Sequence, residues 1–153
     1  MKTHNLVQGT PEWLAHRSTH FNASDAPAMM GCSPYKTRTE LLHELKTGIA
    51  PTVDAATQRR FDEGHRIEAL ARPLAEEIIG ETLYPVVGSE GELSASFDGL
   101  TMDETIGFEH KTLNDELRAV MSELPDLNTG HALPLQYRVP MEQQLCVAQP
   151  HEI

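Results

Sequence analysis

The sequence predicts an α/β fold (α+β-like), with a central mixed sheet flanked by helices, and three features of its patterning predict it. Up to Ile79, apolar residues recur at three- and four-residue steps, the period of helices. After Gly80 the pattern shifts to short runs rich in Val, Phe, Leu and Thr, separated by glycines, which read as strands. From Asn114 onward the helical pattern returns.

Thr10 is a good N-cap with Pro11 at the first helical position, so a short helix runs from there to about Arg17. A second short helix follows Asn22-Ala23-Ser24-Asp25 and stops at Gly31, and Ser33-Pro34-Tyr35 is a turn. Thr39 to Lys46 is helical, with Leu41, Leu42 and Leu45 on one face and Gly48 as the stop. Ile49 to Val53, with Pro51, is a linker. Asp54 to Ile79 is the longest helix, broken or bent near Pro73, and Ile67, Leu70, Leu74 and Ile78 mark its expected buried face. Thr82–Val87, Leu93–Phe97 and Thr105–Leu113 are the expected strands. Asn114 caps a helix over Asp115 to Leu124, Pro125 to Gly130 is a loop, and Leu133 to Val147 is a last helical segment containing Pro140.

The 153 residues fit one domain. At 39% hydrophobic and 23% charged, the composition is that of a globular protein. No run of 18 apolar residues occurs, so no membrane partner is expected. Met1 to Gln8 has no apolar segment of the kind that directs secretion, and Cys32 and Cys146 read as reduced thiols in a cytoplasmic chain. The eight histidines show no zinc spacing, and no glycine-rich phosphate loop is present. Net charge is −11, from 23 acidic and 12 basic residues, which at first points away from nucleic acid. A nuclease reading requires some carboxylates to serve as metal ligands and the basic side chains to gather on one surface. Trp13 and Tyr35 are aromatic enough to stack on bases, but core positions are the expectation for both. Most of Arg59, Arg60, Arg66 and Arg72 read as a solvated helix face balanced by Asp62, Glu63 and Glu76.

The chemistry lies in Phe97-Asp98-Gly99 and Phe108-Glu109-His110-Lys111. Glu109 and Lys111 are two apart, so on a strand they leave the same face. If the two strands pair as a hairpin, Asp98 meets Glu109. Adjacent carboxylates repel unless a cation lies between them, and hard oxygen donors favour magnesium or manganese. Lys111 then stands where it can activate the attacking water. Read alone, the pattern also fits a solvated hairpin with a surface Glu–Lys pair. Phe97 and Phe108, core-type residues beside both carboxylates, favour the cation site, as does Glu68 in the preceding helix.

Further blocks share this order: Gly9-Thr10-Pro11-Glu12-Trp13-Leu14 with Arg17, Asn22-Ala23-Ser24-Asp25-Ala26, Gly31-Cys32-Ser33-Pro34-Tyr35, Gly64-His65-Arg66-Ile67-Glu68-Ala69, and a glutamine-rich helix from Tyr137 to Val147. Together they resemble the lambda-exonuclease and YqaJ-type viral recombinase nucleases of the PD-(D/E)XK superfamily. The resemblance implies a restriction-endonuclease-like core and a magnesium-dependent 5′-to-3′ exonuclease on linear duplex DNA, in a bacterial or phage-infected cell. It implies two magnesium ions per site, with manganese able to substitute, held by Asp98, Glu109, the His110 backbone carbonyl and Glu68. Lys111 takes the water-activating role, and Arg17 and Ser24 hold the 5′-phosphate. The implied partners are double-stranded DNA ends, two further copies in a homotrimer, and a single-strand annealing protein used in phage recombination.

One position departs from the family pattern. Pro140 stands where a glutamine associated with the active site is often found, and a proline lacks that amide. Two other readings follow: an endonuclease of the same fold, or a degenerate, non-catalytic DNA- or protein-binding module. The expected layout is a single nuclease domain over residues 1–153 lacking its C-terminal end, a strand and a closing helix.

Overall fold

The computed structural model describes residues 1–49, 52–123 and 132–148. Strand β1 (Lys2–His4) precedes helix α1 (Pro11–Arg17); β2 (Phe21–Asn22) leads through a 3-10 turn, Ala23–Asp25, into α2 (Ala26–Met29). Then come α3 (Arg38–Thr47), α4 (Ala55–Ile79), β3 (Tyr84–Glu90), β4 (Leu93–Leu100), β5 (Gly107–Phe108), α5 (Asp115–Glu123) and α6 (Leu135–Ala148). The expected mixed α/β architecture is the one observed. The sheet runs β1-β3-β4-β2, with β5 also on β4. Its pairings are antiparallel except β2 with β4, which is parallel.

Local chemistry explains most boundaries. The Thr10 hydroxyl accepts from Trp13 N–H to start α1, and Thr37 with Glu40 forms a reciprocal capping box on α3. Gly48 and Gly80 end α3 and α4 in the left-handed conformation, at φ 67° and 82°. The Asn114 side chain accepts from Leu117 N–H at 2.9 Å and caps α5 as expected. Helix α4 runs unbroken through Pro73, and α6 runs through Pro140. The core forms where α6 packs on β4: Phe97, Leu100, Ala95 and Ala23 meet Val147 and Ala148. Val147 is fully buried there.

Several expectations change. Strands β1 and β2 are new: each is too short for a periodic signal, and each forms only by pairing with β3 or β4. The third expected strand, Thr105–Leu113, shrinks to Gly107–Phe108, because only that stretch finds a ladder on β4. The apolar row on α4 is exposed, not buried: Leu70 is 60%, Leu74 61% and Ile78 87% accessible. The face that turns inward is Gly64, Ile67, Glu68, Ala71, Arg72, Ala75, Glu76 and Ile79, all half-buried. Ile67 lies on this face as expected, with Ile79; the rest is small or charged, so hydrophobicity alone misplaced Leu70, Leu74 and Ile78. Tyr35 is likewise no core residue, being 92% exposed. Leu124, the Pro125–Gly130 loop and Pro51 of the linker lie outside the described residues.

Three histidines gather where β1, α1 and β2 meet. His16 stacks on His20 at 4.1 Å and lies 4.4 Å from His4. His4 and His16 share hydrogen bonds with Ser89 and Ser94.

Candidate active site

The hairpin between β4 and β5 sets the site. Its turn is held by Thr101, whose hydroxyl donates to Asp103 and accepts from Ile106 N–H, with Glu104 in the left-handed region at φ 62°. The turn pairs Leu100 with Gly107 and Gly99 with Phe108. Just beyond this ladder, Glu109 comes close enough to Asp98 for their charges to interact. Gly99 is required here: an added Cβ would lie 2.9 Å from Leu83 Cβ. The β4 backbone is also irregular at this point. Tyr84 pairs with Leu100 but Val86 with Phe97, so Asp98 and Gly99 together face Pro85. This is a β-bulge, the kind of irregularity that re-aims a side chain.

Glu68, Asp98, Glu109 and Lys111 come together. His110 N–H donates to Asp98 Oδ2 at 2.8 Å, and Lys111 Nζ contacts Glu109 Oε1. Burial pushes the Asp98 carboxyl up to about 7, with the Glu109 charge adding and Glu68 contributing; the His110 hydrogen bond and Lys111 oppose the rise. Glu68 reaches the site from α4, where its Oε1 accepts from Arg72 Nη2 at 2.6 Å. Arg72 Nε also donates to the Asp98 backbone carbonyl at 2.8 Å. From α6, Gln144 Nε2 donates to Glu109 Oε2 at 2.7 Å and to the Ser96 carbonyl at 3.1 Å.

Among the described residues, no three His, Cys, Asp or Glu side chains already close around one point as a finished metal shell. Glu109 is turned to Lys111 and Gln144, and Glu68 to Arg72. The donor chemistry nonetheless fits a hard cation. All the donors are oxygens, and the Asp98 pKa is raised by burial first and by the Glu109 charge second, both of which a bound cation would offset.

Arg17 and Ser24 are not joined to each other. Arg17 Nη2 donates to Asp25 Oδ2 at 3.1 Å, and its guanidinium lies 4.7 Å from the centre of the Trp13 ring. Burial lowers the Arg17 pKa and Asp25 opposes that. Lys36 approaches the other Asp25 oxygen at 3.9 Å. Ser24 is exposed and lies on the wall of a groove of about 910 Å³, which Tyr35, Arg59, Arg60, Glu109, Lys111 and Pro140 also line. Three basic side chains, Arg59, Arg60 and Lys111, stand on this wall together with Glu63 and Glu109. A smaller, mainly apolar cavity of about 420 Å³, lined by Phe21, Met29, Met30, Leu41, Leu45 and Val139 with Asp25 at its edge, does not include Glu68, Asp98 or Glu109.

Residues 12–151 match the family described as YqaJ-like viral recombinase domain. This chain belongs to that family. Among solved structures it is similar to an alkaline exonuclease, LHK-Exo, from Laribacter hongkongensis, at 24% identity and a TM-score of 0.64. The same exonuclease in complex with dAMP matches at 24% identity and a TM-score of 0.65. Both alignments cover 92% of this chain and 70% of the other. At that identity the likeness is one of fold. No match is found among curated protein sequences. No helix of the described residues is long and apolar enough to cross a membrane.

Two residues that contact this acid-rich cluster are missing from the sequence expectations. Gln144, 2% exposed, ties α6 to Glu109 one helical turn beyond Pro140. A glutamine four residues from a suspected site position shares its helix face, which was the available signal. Arg72 stands four residues from Glu68, the spacing of a helical ion pair, but was read as one of a solvated row.

Proposed function

We propose that this YqaJ-like chain is a magnesium-dependent exonuclease that degrades linear duplex DNA from the 5′ end. The observation that carries the reading is Asp98 close to Glu109 with Glu68 nearby, an acid-rich site at the edge of a groove that Arg59 and Arg60 also line. Asp98, Glu109, Glu68 and the His110 backbone carbonyl would hold two magnesium ions, or manganese in their place. When bound, such ions polarise the scissile phosphate and lower the pKa of water.

The chain's own residues do the rest. Lys111, whose ammonium is now paired with Glu109, donates to the attacking water and stabilises the negative charge that develops on it. Gln144 fixes the Glu109 carboxylate, and with it the Lys111 ammonium, on the wall of the groove. Arg59 and Arg60 face the groove, where they neutralise backbone phosphates. Ser24 and Arg17 take the terminal 5′-phosphate, the guanidinium exchanging Asp25 for the stronger anion. The chain works in phage-type recombination with a single-strand annealing protein, as a homotrimer. The open row Leu70, Leu74 and Ile78 is an apolar surface that such an assembly would cover. Light scattering reporting a monomer at all concentrations removes the trimer.

A second reading, an endonuclease on the same fold, gains from Arg17 already being satisfied by Asp25. Incubation of linear and circular duplex DNA with magnesium separates the readings. The exonuclease degrades only linear DNA; nicking of both forms makes it an endonuclease. Both forms intact, with magnesium or manganese, leave a non-catalytic binding module.

A further inference from the structure

We propose that Arg72 is a positioning residue that couples the helix carboxylate Glu68 to the strand carboxylate Asp98, a role created by Pro85. This rests on the nuclease reading of the site. The register places Asp98 and Gly99 together opposite Pro85 on β3. A proline has no N–H to give to a neighbouring strand, and prolines inside sheets concentrate at bulges for that reason. The Asp98 carbonyl therefore takes its donor from elsewhere. Arg72 Nε supplies it at 2.8 Å, across 26 residues of sequence.

The same guanidinium holds Glu68 Oε1 through Nη2 at 2.6 Å. The planar fork thus spans two elements. Its Nε–H fixes the backbone on which the Asp98 side chain is mounted, and the neighbouring Nη2–H fixes the carboxylate of Glu68. Both side chains of the ion pair are mostly covered, at 20% and 15% exposure, so water competes weakly. No other hydrogen bond or ion pair of the described residues joins α4 to the backbone of β4 at this point. The other polar tie of this helix face, Glu76 Oε1 accepting from Leu83 N–H at 2.7 Å, lies a turn further on and reaches the residue before β3, not β4. Arg72 touches neither the groove nor any reacting atom; it acts through Asp98 and Glu68.

Lysine tests this, because an ammonium keeps the charge but cannot serve carbonyl and carboxylate in one plane. Loss of an outer partner of a metal ligand typically weakens metal use about tenfold or more. Arg72→Lys should therefore raise the magnesium concentration for half-maximal cleavage about tenfold, with KM for DNA nearly unchanged. Arg72→Gln should raise it further. Pro85→Ala restores a backbone donor opposite Asp98, and in that background Arg72→Lys should cost clearly less. Melting temperature is measured on each variant without metal. A merely structural arginine lowers melting but leaves the magnesium requirement unchanged, and that result overturns the proposal. An equal cost of Arg72→Lys with and without Pro85 overturns the part assigned to Pro85. If the unsubstituted protein neither cleaves DNA nor is stabilised by magnesium or manganese, the nuclease reading fails and this proposal with it. If the unsubstituted protein responds and Arg72→Lys responds identically, only this proposal fails.

Discussion

Asp98 and Asp25 are both half-buried aspartates beside the sheet, and they keep opposite company. Asp25 is surrounded by donors: Arg17 at 3.1 Å, Asn22 Nδ2 at 3.3 Å and Lys36 at 3.9 Å. Asp98 has Glu109 and Glu68 for neighbours, and its carboxyl is pushed up to about 7 by burial and their charge. A cationic pocket that already holds one carboxylate can exchange it for a phosphate, whereas an anionic pocket short of positive charge calls for a cation. The two aspartates therefore mark two halves of one proposed task, grip at the strand end and hydrolysis beside it.

The comparison breaks most visibly at Lys111. Its ammonium is the cation of the acid-rich half that also lines the groove, so Lys111→Ala should lower the cleavage rate about 10²- to 10⁴-fold while DNA binding changes little. Lys111→Arg should fail as well, since a planar fork does not replace a compact ammonium there. Single-turnover rates with a labelled duplex check this, and a full rate for Lys111→Arg would reduce the lysine to a phosphate contact.

The cation-rich half gives a smaller effect. Charged hydrogen bonds of the Arg17 type contribute roughly 1.5–3 kcal/mol, so a 5′-phosphorylated end should be preferred over a 5′-hydroxyl end by about ten- to a hundredfold. Arg17→Ala should erase most of that preference while leaving the intrinsic cut intact. Digestion of the two kinds of end at equal rates by the unsubstituted protein removes the phosphate grip and favours the endonuclease.

How much of this was readable from sequence follows from range. Caps and stops were legible, since Thr10, Asn114, Gly48 and Gly80 act within one helical turn. The meeting of Asp98 with Glu109 was legible too, because a short hairpin joins them. Strands β1 and β2 were not, as they consist of pairings with residues about seventy or more positions away. The inward face of α4 was misread because Leu70, Leu74 and Ile78 outweigh Ala71 and Ala75 in hydrophobicity. Packing there is decided by Glu68 and Arg72 reaching the sheet, a demand that composition does not register. The bulge at Asp98 needed the partner strand, since Pro85 gives no sign in the sequence that it will face the site.

The central claim, that Asp98 sits in a pocket short of positive charge and made for a divalent cation, is tested most directly by thermal melting of the unsubstituted protein and Asp98→Asn. The two are compared at about pH 5 and about pH 8, with and without magnesium. The Asp98 pKa is raised from 3.8 to about 7, so the folded protein holds a proton that the unfolded chain has released. The stability from that proton is complete below pH 3.8 and is lost as pH rises through about 7. Without metal, Asp98→Asn should therefore melt above the unsubstituted protein at the higher pH, with the gap closing at the lower. Millimolar magnesium or manganese at the higher pH should then raise the melting temperature of the unsubstituted protein and leave Asp98→Asn almost unmoved. A gap that does not change with pH, together with equal responses of both proteins to the cation, would contradict the account.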